Sequence, residues 1–253
     1  MATTFQTTAK APRPVKKITS WSFSRYSDYK KCPLLYKLKN MDKIAEPKND
    51  AMLRGNEIHQ LAEDYIKGKS GPVIKPELKA FEVVFKQLRL LYKKRTAGIV
   101  VEDDWAFTND WDRTTWDDWV GCWVRIKLDC ASNEDPDILI IRDWKTGKFR
   151  EEMNADYLEQ LELYALAGLI LHPHVKEAHP ELIYLDVPTV YPPADKPLIY
   201  TQADVPRLKK LWEKRVKPMF TDTRFPPKAN DKCRWCFYGQ SGIKKGGPGL
   251  CKF

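Results

Sequence analysis

The sequence predicts a mixed α/β domain with a helical N-terminal lobe, on three observations. Residues 18–95 carry apolar side chains at helical spacing. Residues 99–145 switch to short-period alternation and apolar runs typical of strands. Helix, strand and helix patterns then follow in turn.

The first seventeen residues, MATTFQTTAKAPRPVKK, read as a short, flexible basic tail without the apolar middle segment of a secretory signal. Ser22 is placed to N-cap a helix over 22–38. A second helix covers about 52–67, with Ile58, Leu61, Ala62 and Tyr65 on one face. A third runs over 76–94 with Pro76 in its first turn and a stripe of Phe81, Val84, Phe85, Leu88 and Leu91. Strands follow at 99–107 and 116–130. In the latter, Val120, Cys122, Val124, Ile126 and Leu128 share one face, opposite Trp119, Trp123, Arg125, Lys127 and Asp129. After a turn at 133–136, DPDILIIRDWK is apolar on both faces, as a central strand is. A helix over 156–171, a strand over 182–187 and a helix over 203–220 complete the pattern. The segment after Pro226 is rich in Gly, Lys and Cys and has no periodicity. The chain thus divides into a tail, 1–17, and one domain, 18–253. That domain comprises a helical lobe (18–95), a core (96–225) and a Cys-containing end (226–253) packing on the N-terminal helix.

The formal charge of +9 favours polyanionic partners such as nucleic acid. No apolar run approaches the ~18 residues of a membrane helix, and a cytoplasmic location, in a bacterial or phage-infected cell, is expected. Six cysteines in a reducing compartment do not make a disulfide framework. Cys122 and Cys130 lie within apolar alternation as core thiols. Cys233, Cys236 and Cys251 cluster at the end. Neither a phosphate-binding G-x-x-x-x-G-K-[ST] loop nor a G-x-S-x-G nucleophile motif is present.

Asp143 and Lys145 are two apart on a strand and project from one face. Asp129 lies fourteen residues earlier, near the end of the preceding strand, so a hairpin brings it beside Asp143. Two carboxylates and an ammonium converge there, and the carboxylate oxygens suit Mg²⁺ or Mn²⁺. Such an ion can activate water and stabilise displacement at phosphorus, while the lysine orients that water and neutralises developing charge. This is the chemistry of phosphodiester hydrolysis. A plain polar strand end is the alternative reading of Asp-x-Lys.

Five segments, in order over about residues 18–251, sharpen the choice. SWSFSRYSDYKKCPLLYKL, RGNEIH, VRIKLD, IIRDWKTGK and QLELY together resemble the RecB-like branch of the PD-(D/E)xK nucleases, including the CRISPR-adaptation and AddB nuclease domains. The resemblance implies a restriction-endonuclease-like core, a mixed central sheet flanked by helices. One departure is Ile126, where the family often has glycine three residues before the first aspartate.

By the same resemblance Asp129, Asp143 and the Trp144 carbonyl hold the metal, His59 is a further ligand, and Lys145 serves the attacking water. Gln160 and Tyr164, four apart on one helix face, position DNA. Glu102 is a possible additional acid. A structural zinc or an iron–sulfur cluster takes four ligands, and only three cysteines lie at the C-terminal end. The resemblance supplies Cys32 as the fourth and implies a [4Fe–4S] cluster on Cys32, Cys233, Cys236 and Cys251. Zinc on these residues stays open, as does no metal, with Trp235, Phe237 and Tyr238 simply packing the tail.

The expected activity is a Mg²⁺- or Mn²⁺-dependent DNA exonuclease acting on single-stranded ends in recombination, repair or DNA processing. Trp105, Trp111, Trp116, Trp119 and Trp123 are available to stack unpaired bases. The alternatives are a non-catalytic nucleic-acid-binding module and a subunit active only with recombination or helicase partners.

Overall fold

The computed structural model describes residues 17–94, 98–149 and 154–253; the expectation for the N-terminal tail falls almost wholly outside them. The helical lobe forms as the periodicity predicts. α1 (Phe23–Lys31) is capped by Ser22, whose Oγ accepts from the Arg25 N–H. The helix stops at Cys32, which is extended (φ −162°) because Pro33 follows. The chain resumes as α2 (Pro33–Tyr36) and a π-helical turn (Lys37–Met41). The predicted single helix is therefore broken at Cys-Pro, and Cys32 comes out at a corner. α3 (Asp50–Ile66) and α4 (Glu82–Lys94, entered through a 3₁₀ turn from Pro76) follow the expected stripes.

Six strands pair in the order β2-β1-β3-β4-β5-β6, and a seventh, β7, adds to β5. They are β1 (Val100–Phe107), β2 (Arg113–Thr114), β3 (Val124–Asp135), β4 (Ile138–Lys145), β5 (Glu177–Tyr184), β6 (Thr189–Tyr191) and β7 (Tyr200–Thr201). β4 and β5 pair in parallel and the other neighbours are antiparallel. α5 (Asn154–Leu171) is the crossover between the parallel strands, and α6 (Val205–Thr221) lies beyond β7. Gly168 lets α5 lie close to the sheet, since a Cβ there would fall 2.6 Å from Leu139 Cδ2. The mixed sheet flanked by helices is the fold class that the sequence predicts.

Two cores cover the two faces. Leu128, Ala131, Leu139 and Ile141 pack with Leu163, Leu166, Trp212 and Trp21. Val101, Cys130, Trp144 and Ile183 pack with Ile58, Tyr65, Phe85 and Leu88 of α3 and α4. Leu128 and Cys130 would share a face in a regular strand, yet they lie in opposite cores. The alternation slips one step at Asp129, opposite Glu102, whose backbone is left-handed (φ +49°) and interrupts the β1–β3 ladder between Val101↔Cys130 and Asp103↔Leu128.

Three expectations need correction. The strand predicted over 116–130 begins at Val124. Residues 116–122 form turns in which Asp118 Oδ1 accepts the Val120 and Gly121 N–H groups, leaving Val120 and Trp119 exposed. The turn placed at 133–136 is narrower, because β3 runs on to Asp135. The strand predicted over 182–187 starts five residues earlier, at Glu177, and contains Pro180. The proline is tolerated because it falls between the short partners: β7 pairs at Glu177 and Ala178, β6 at Leu182–Tyr184.

The C-terminal end folds back on α1 and α2. Lys228 N–H donates to Cys32 Sγ at 3.3 Å, Asn230 Nδ2 to the Lys31 carbonyl and Tyr238 Oη to the Ile44 carbonyl. Phe237 and Tyr238 are buried with Leu38, whereas Trp235 is exposed. Gly242 and Gly247 pass so close to the Phe237 carbonyl that neither has room for a Cβ.

Candidate active site

The centre lies where β3 and β4 part. Their ladder ends at Cys130↔Arg142, after which β3 keeps β1 and β4 keeps β5 as partner strands. The inner edges of this fork still need hydrogen-bond partners. Asp129 Oδ2 takes the Trp144 N–H at 2.7 Å, and Tyr164 Oη donates to the Lys127 carbonyl at 3.1 Å. Wider still, the strand edge is closed by Trp21, whose N–H bonds the Trp123 carbonyl while its own carbonyl takes the Arg125 N–H.

Glu102, Asp129 and Asp143 each lie one residue beyond the paired row Val101↔Cys130↔Arg142 of β1, β3 and β4. From α3, His59 Nδ1 reaches Asp129 Oδ1 at 3.2 Å and Glu102 Oε1 at 3.7 Å. His59, Glu102 and Asp129 each offer a donor atom within 4.8 Å of the others. From the other face, Lys145 Nζ lies 2.5 Å from Asp143 Oδ2 and donates to Gln160 Oε1 at 3.3 Å. Gln160 Nε2 in turn contacts Asp143 Oδ1 at 3.2 Å and Tyr164 Oη at 2.7 Å. The Lys145 ammonium also sits 4.6 Å from the Tyr157 ring centre. Tyr157, Gln160 and Tyr164 recur at helical spacing, so α5 presents all three to the fork.

Burial sets the electrostatics. Desolvation and the neighbouring Asp143 charge push the Asp129 carboxyl up to about 6, against the pull of His59 and the Trp144 N–H. Desolvation works to lower His59, but Asp129 and Glu102 outweigh it and carry the imidazole up to about 10. Lys145 is likewise desolvated, yet Asp143 holds it above the usual lysine value. Glu102 is held below its usual value despite burial, by His59 and Lys127.

The donor set fits a hard divalent cation. Glu102 Oε1 and Asp143 Oδ2 are buried oxygens without a hydrogen-bond donor, Asp143 Oδ2 having only its charge contact with Lys145. Buried carboxylate oxygens otherwise have partners. Two carboxylates beside an imidazole are ligands for Mn²⁺ or Mg²⁺.

Each residue that the sequence marked for the centre is brought to the fork, and Glu102 lies closer to its middle than the sequence suggested. It sits with His59 and Asp129, while Asp143 faces Lys145 and Gln160. Sequence reasoning missed Asp186, which pairs with Arg54 through two 2.6 Å contacts and accepts the Gly147 N–H at 2.6 Å. It ties the RGNEIH turn of α3 to the turn following Lys145. The only signal was an aspartate just past a strand end.

Cys32, Cys233, Cys236 and Cys251 line one cavity of about 330 Å³ between the α1–α2 corner and the C-terminal end. The Gly239 N–H donates to the Cys236 carbonyl at 3.3 Å, and burial pushes the Cys236 thiol up. A tetrahedral zinc at ~2.3 Å from each sulfur would bring the sulfurs within about 4 Å of one another. The described residues hold no such tight cysteine group.

A model described as the PD-(D/E)XK nuclease superfamily matches residues 20–241. No curated protein matches the chain. Among solved structures, SSO0001 aligns with 14% identity over 89% of this chain and 86% of its own, with a TM-score of 0.40. A Eubacterium rectale protein named "Putative exonuclease" aligns with 14% identity over 86% of each chain, with a TM-score of 0.46. With the family model spanning the helical lobe, the forked sheet and the acidic row alike, this chain belongs to the PD-(D/E)xK nuclease superfamily.

Proposed function

We propose that the protein is a Mg²⁺- or Mn²⁺-dependent deoxyribonuclease that removes nucleotides from single-stranded ends, in the manner of the RecB-like branch. The observation that carries the reading is the fork itself: an acidic row with His59 on one side and the Lys145–Gln160–Tyr164 chain on the other. Asp129, Glu102 and His59 would hold the cation, with Asp143 and the Trp144 carbonyl completing its surroundings. The cation supplies positive charge at the scissile phosphate and lowers the pKa of a bound water. Lys145, fixed between Asp143 and Gln160, offers its ammonium to the attacking water and the developing charge. Gln160 shares the Lys145 ammonium with Asp143, and Tyr164 anchors Gln160 to the β3 backbone.

Single-strand preference is supported by two tryptophans. Trp105, Trp111 and Trp123 are core, but Trp119 is 75% exposed and Trp116 half-buried beside it, leaving indole faces for unpaired bases. The basic charge fits a nucleic-acid partner. We assign the four-cysteine cavity to a [4Fe–4S] cluster, the group that the resemblance to the RecB-like branch implies. Such a cluster would staple the two ends of the domain. The cytoplasm, recombination or repair, and the single-domain division of 18–253 belong to the same proposal. Among the described residues no helix is long and apolar enough to cross a membrane.

The test is degradation of linear single strands against covalently closed duplex, with and without Mn²⁺. Metal-dependent loss of the linear strand alone supports the reading; equal loss of closed duplex excludes an end-directed enzyme. A folded, metal-replete protein inert on both would be a binding module or a partner-dependent subunit.

A further inference from the structure

A groove of about 380 Å³ opens beside the acidic centre and shares Gln160 and Tyr164 with it. Its other walls are the first turn of α1, Trp116, Ile126, Lys127 and the side chains of Arg25 and Arg125. The two guanidinium groups converge on one neutral oxygen. Arg125 Nη1 donates to Ser20 Oγ at 2.6 Å and Arg25 Nη1 to the same atom at 3.4 Å. Arg125 otherwise bonds the Trp116 carbonyl through Nε and lies over the Trp116 and Trp119 rings. Among the described residues neither arginine has a carboxylate within ion-pairing distance. Asp118, whose charge does act with that of Arg125, is already taken up by Thr114 Oγ1 and the Val120 and Gly121 N–H groups.

Two like charges held together without a counter-ion are costly unless an anion joins them. Arg125 is only 8% exposed, and its Nη2 has no partner, whereas buried donors are normally satisfied. The start of α1 adds to the same wall. Ser22 Oγ takes the Arg25 N–H at a long 3.4 Å, and the first N–H groups of a helix have no partner within it. The helix start and Arg125 border the same groove, and Arg125 Nη2 is the one nitrogen of that guanidinium without a partner.

We propose that this groove is a phosphate subsite, in which Arg125, Arg25 and the first turn of α1 hold one phosphate of a nucleic-acid strand beside the bond cut at the fork. The assignment rests on the nuclease reading and adds to it the group that sets the strand's position. Trp116, on the same groove, is placed to take the attached base. The phosphate is either an internal one of the backbone or the terminal one of a phosphorylated end.

The test is strand binding without cleavage. Wild-type protein in EDTA is titrated against 3′-labelled single-stranded oligonucleotides bearing a 5′-phosphate or a 5′-hydroxyl, over a series of salt concentrations. Arg25→Ala, Arg125→Gln and Ser24→Asp are compared with it. Each variant is expected to weaken binding about five- to tenfold and to flatten the dependence of log K on log salt by about 0.7, the share of one phosphate on a single strand. Ser24→Asp separates this from unfolding, because a carboxylate in the first helical turn favours the helix while repelling phosphate. Its Tm should stay at or above that of wild type. A deficit confined to the 5′-phosphorylated strand assigns the subsite to the terminal phosphate, and an equal deficit on both strands assigns it to the backbone. Wild-type affinity and slope in both Arg25→Ala and Ser24→Asp overturn the subsite alone. A wild-type protein that binds neither strand overturns the nuclease reading as well.

Discussion

Asp129 Oδ2 accepts the Trp144 backbone N–H at 2.7 Å, and this bond spans the fork where β3 and β4 separate. It fixes one carboxylate oxygen to the strand that carries Asp143 and Lys145, leaving the other directed at His59. A metal ligand tied to a backbone donor is held in place before any ion arrives, which is what a preorganised site requires.

Asp129→Asn should keep the Trp144 bond, since an amide oxygen also accepts, while removing a buried charge raised by burial and by Asp143. A carboxyl whose folded value lies above its unfolded one costs stability as pH rises past the unfolded value, here from about 4 to about 6. At pH 8 the metal-free variant is therefore expected to melt at or above the wild-type temperature. Added Mn²⁺ should raise the Tm of wild type only. Scanning calorimetry with and without Mn²⁺ checks both statements.

His59 reports on its own role through pH. Its folded value is raised to about 10, so its favourable ionic contacts are fully present below about 6.5 and fade as pH climbs through 10. A cation binding its nitrogen must displace that proton. Mn²⁺ affinity should accordingly rise about tenfold per pH unit between pH 7 and 9. His59→Ala should bind more weakly with a flatter profile. Titration calorimetry in two buffers of different ionisation enthalpy measures the released proton; its absence from wild type removes His59 from the ligand set.

Gln160 and Tyr164 separate positioning from stability. Gln160→Ala deletes the contact that shares Lys145 between an amide and Asp143, and kcat should fall on the order of tenfold to a hundredfold with KM little changed. Tyr164→Phe leaves the Lys127 carbonyl without its donor, costing about 1–2 kcal/mol of stability and less in kcat. Paired kinetics and denaturation curves distinguish the two. A Tyr164→Phe loss larger in kcat than that of Gln160→Ala would reverse the assignment.

The cysteine cavity makes a separate prediction. Anaerobically purified protein should contain iron and absorb broadly near about 400 nm. Cys32→Ser should lose both, together with the docking of the C-terminal end, because metal binding contributes directly to folding. Zinc without iron would reassign the site. Protein free of both metals would leave Phe237 and Tyr238 packing as the only fastening.

Much of this was legible in the sequence, because long periodic segments announce themselves. The stripes of α3 and α4 and the doubly apolar β4 needed no tertiary knowledge. Asp143 and Lys145 follow from strand period, and Asp129 from the hairpin. The one-step slip at Asp129 was not legible, because it arises from the left-handed backbone of Glu102 on a neighbouring strand. Nor was it legible that Glu102, offered only as a possible additional acid, would stand beside His59 and Asp129. The chance alternation of Val120, Cys122 and Val124 likewise imitated a strand, while Asp118 held the chain in a turn. The start of β5 at Glu177, ahead of Pro180, was not legible, because the two short partners that leave a gap for the proline are invisible to periodicity.

The central claim is that the fork cleaves nucleic acid through Lys145. End-labelled single-stranded DNA should be degraded by wild type with Mg²⁺ or Mn²⁺, and Lys145→Ala should be slower by at least about a hundredfold while still binding Mn²⁺. Equal rates for the two proteins would contradict the account and place the activity, if any, elsewhere.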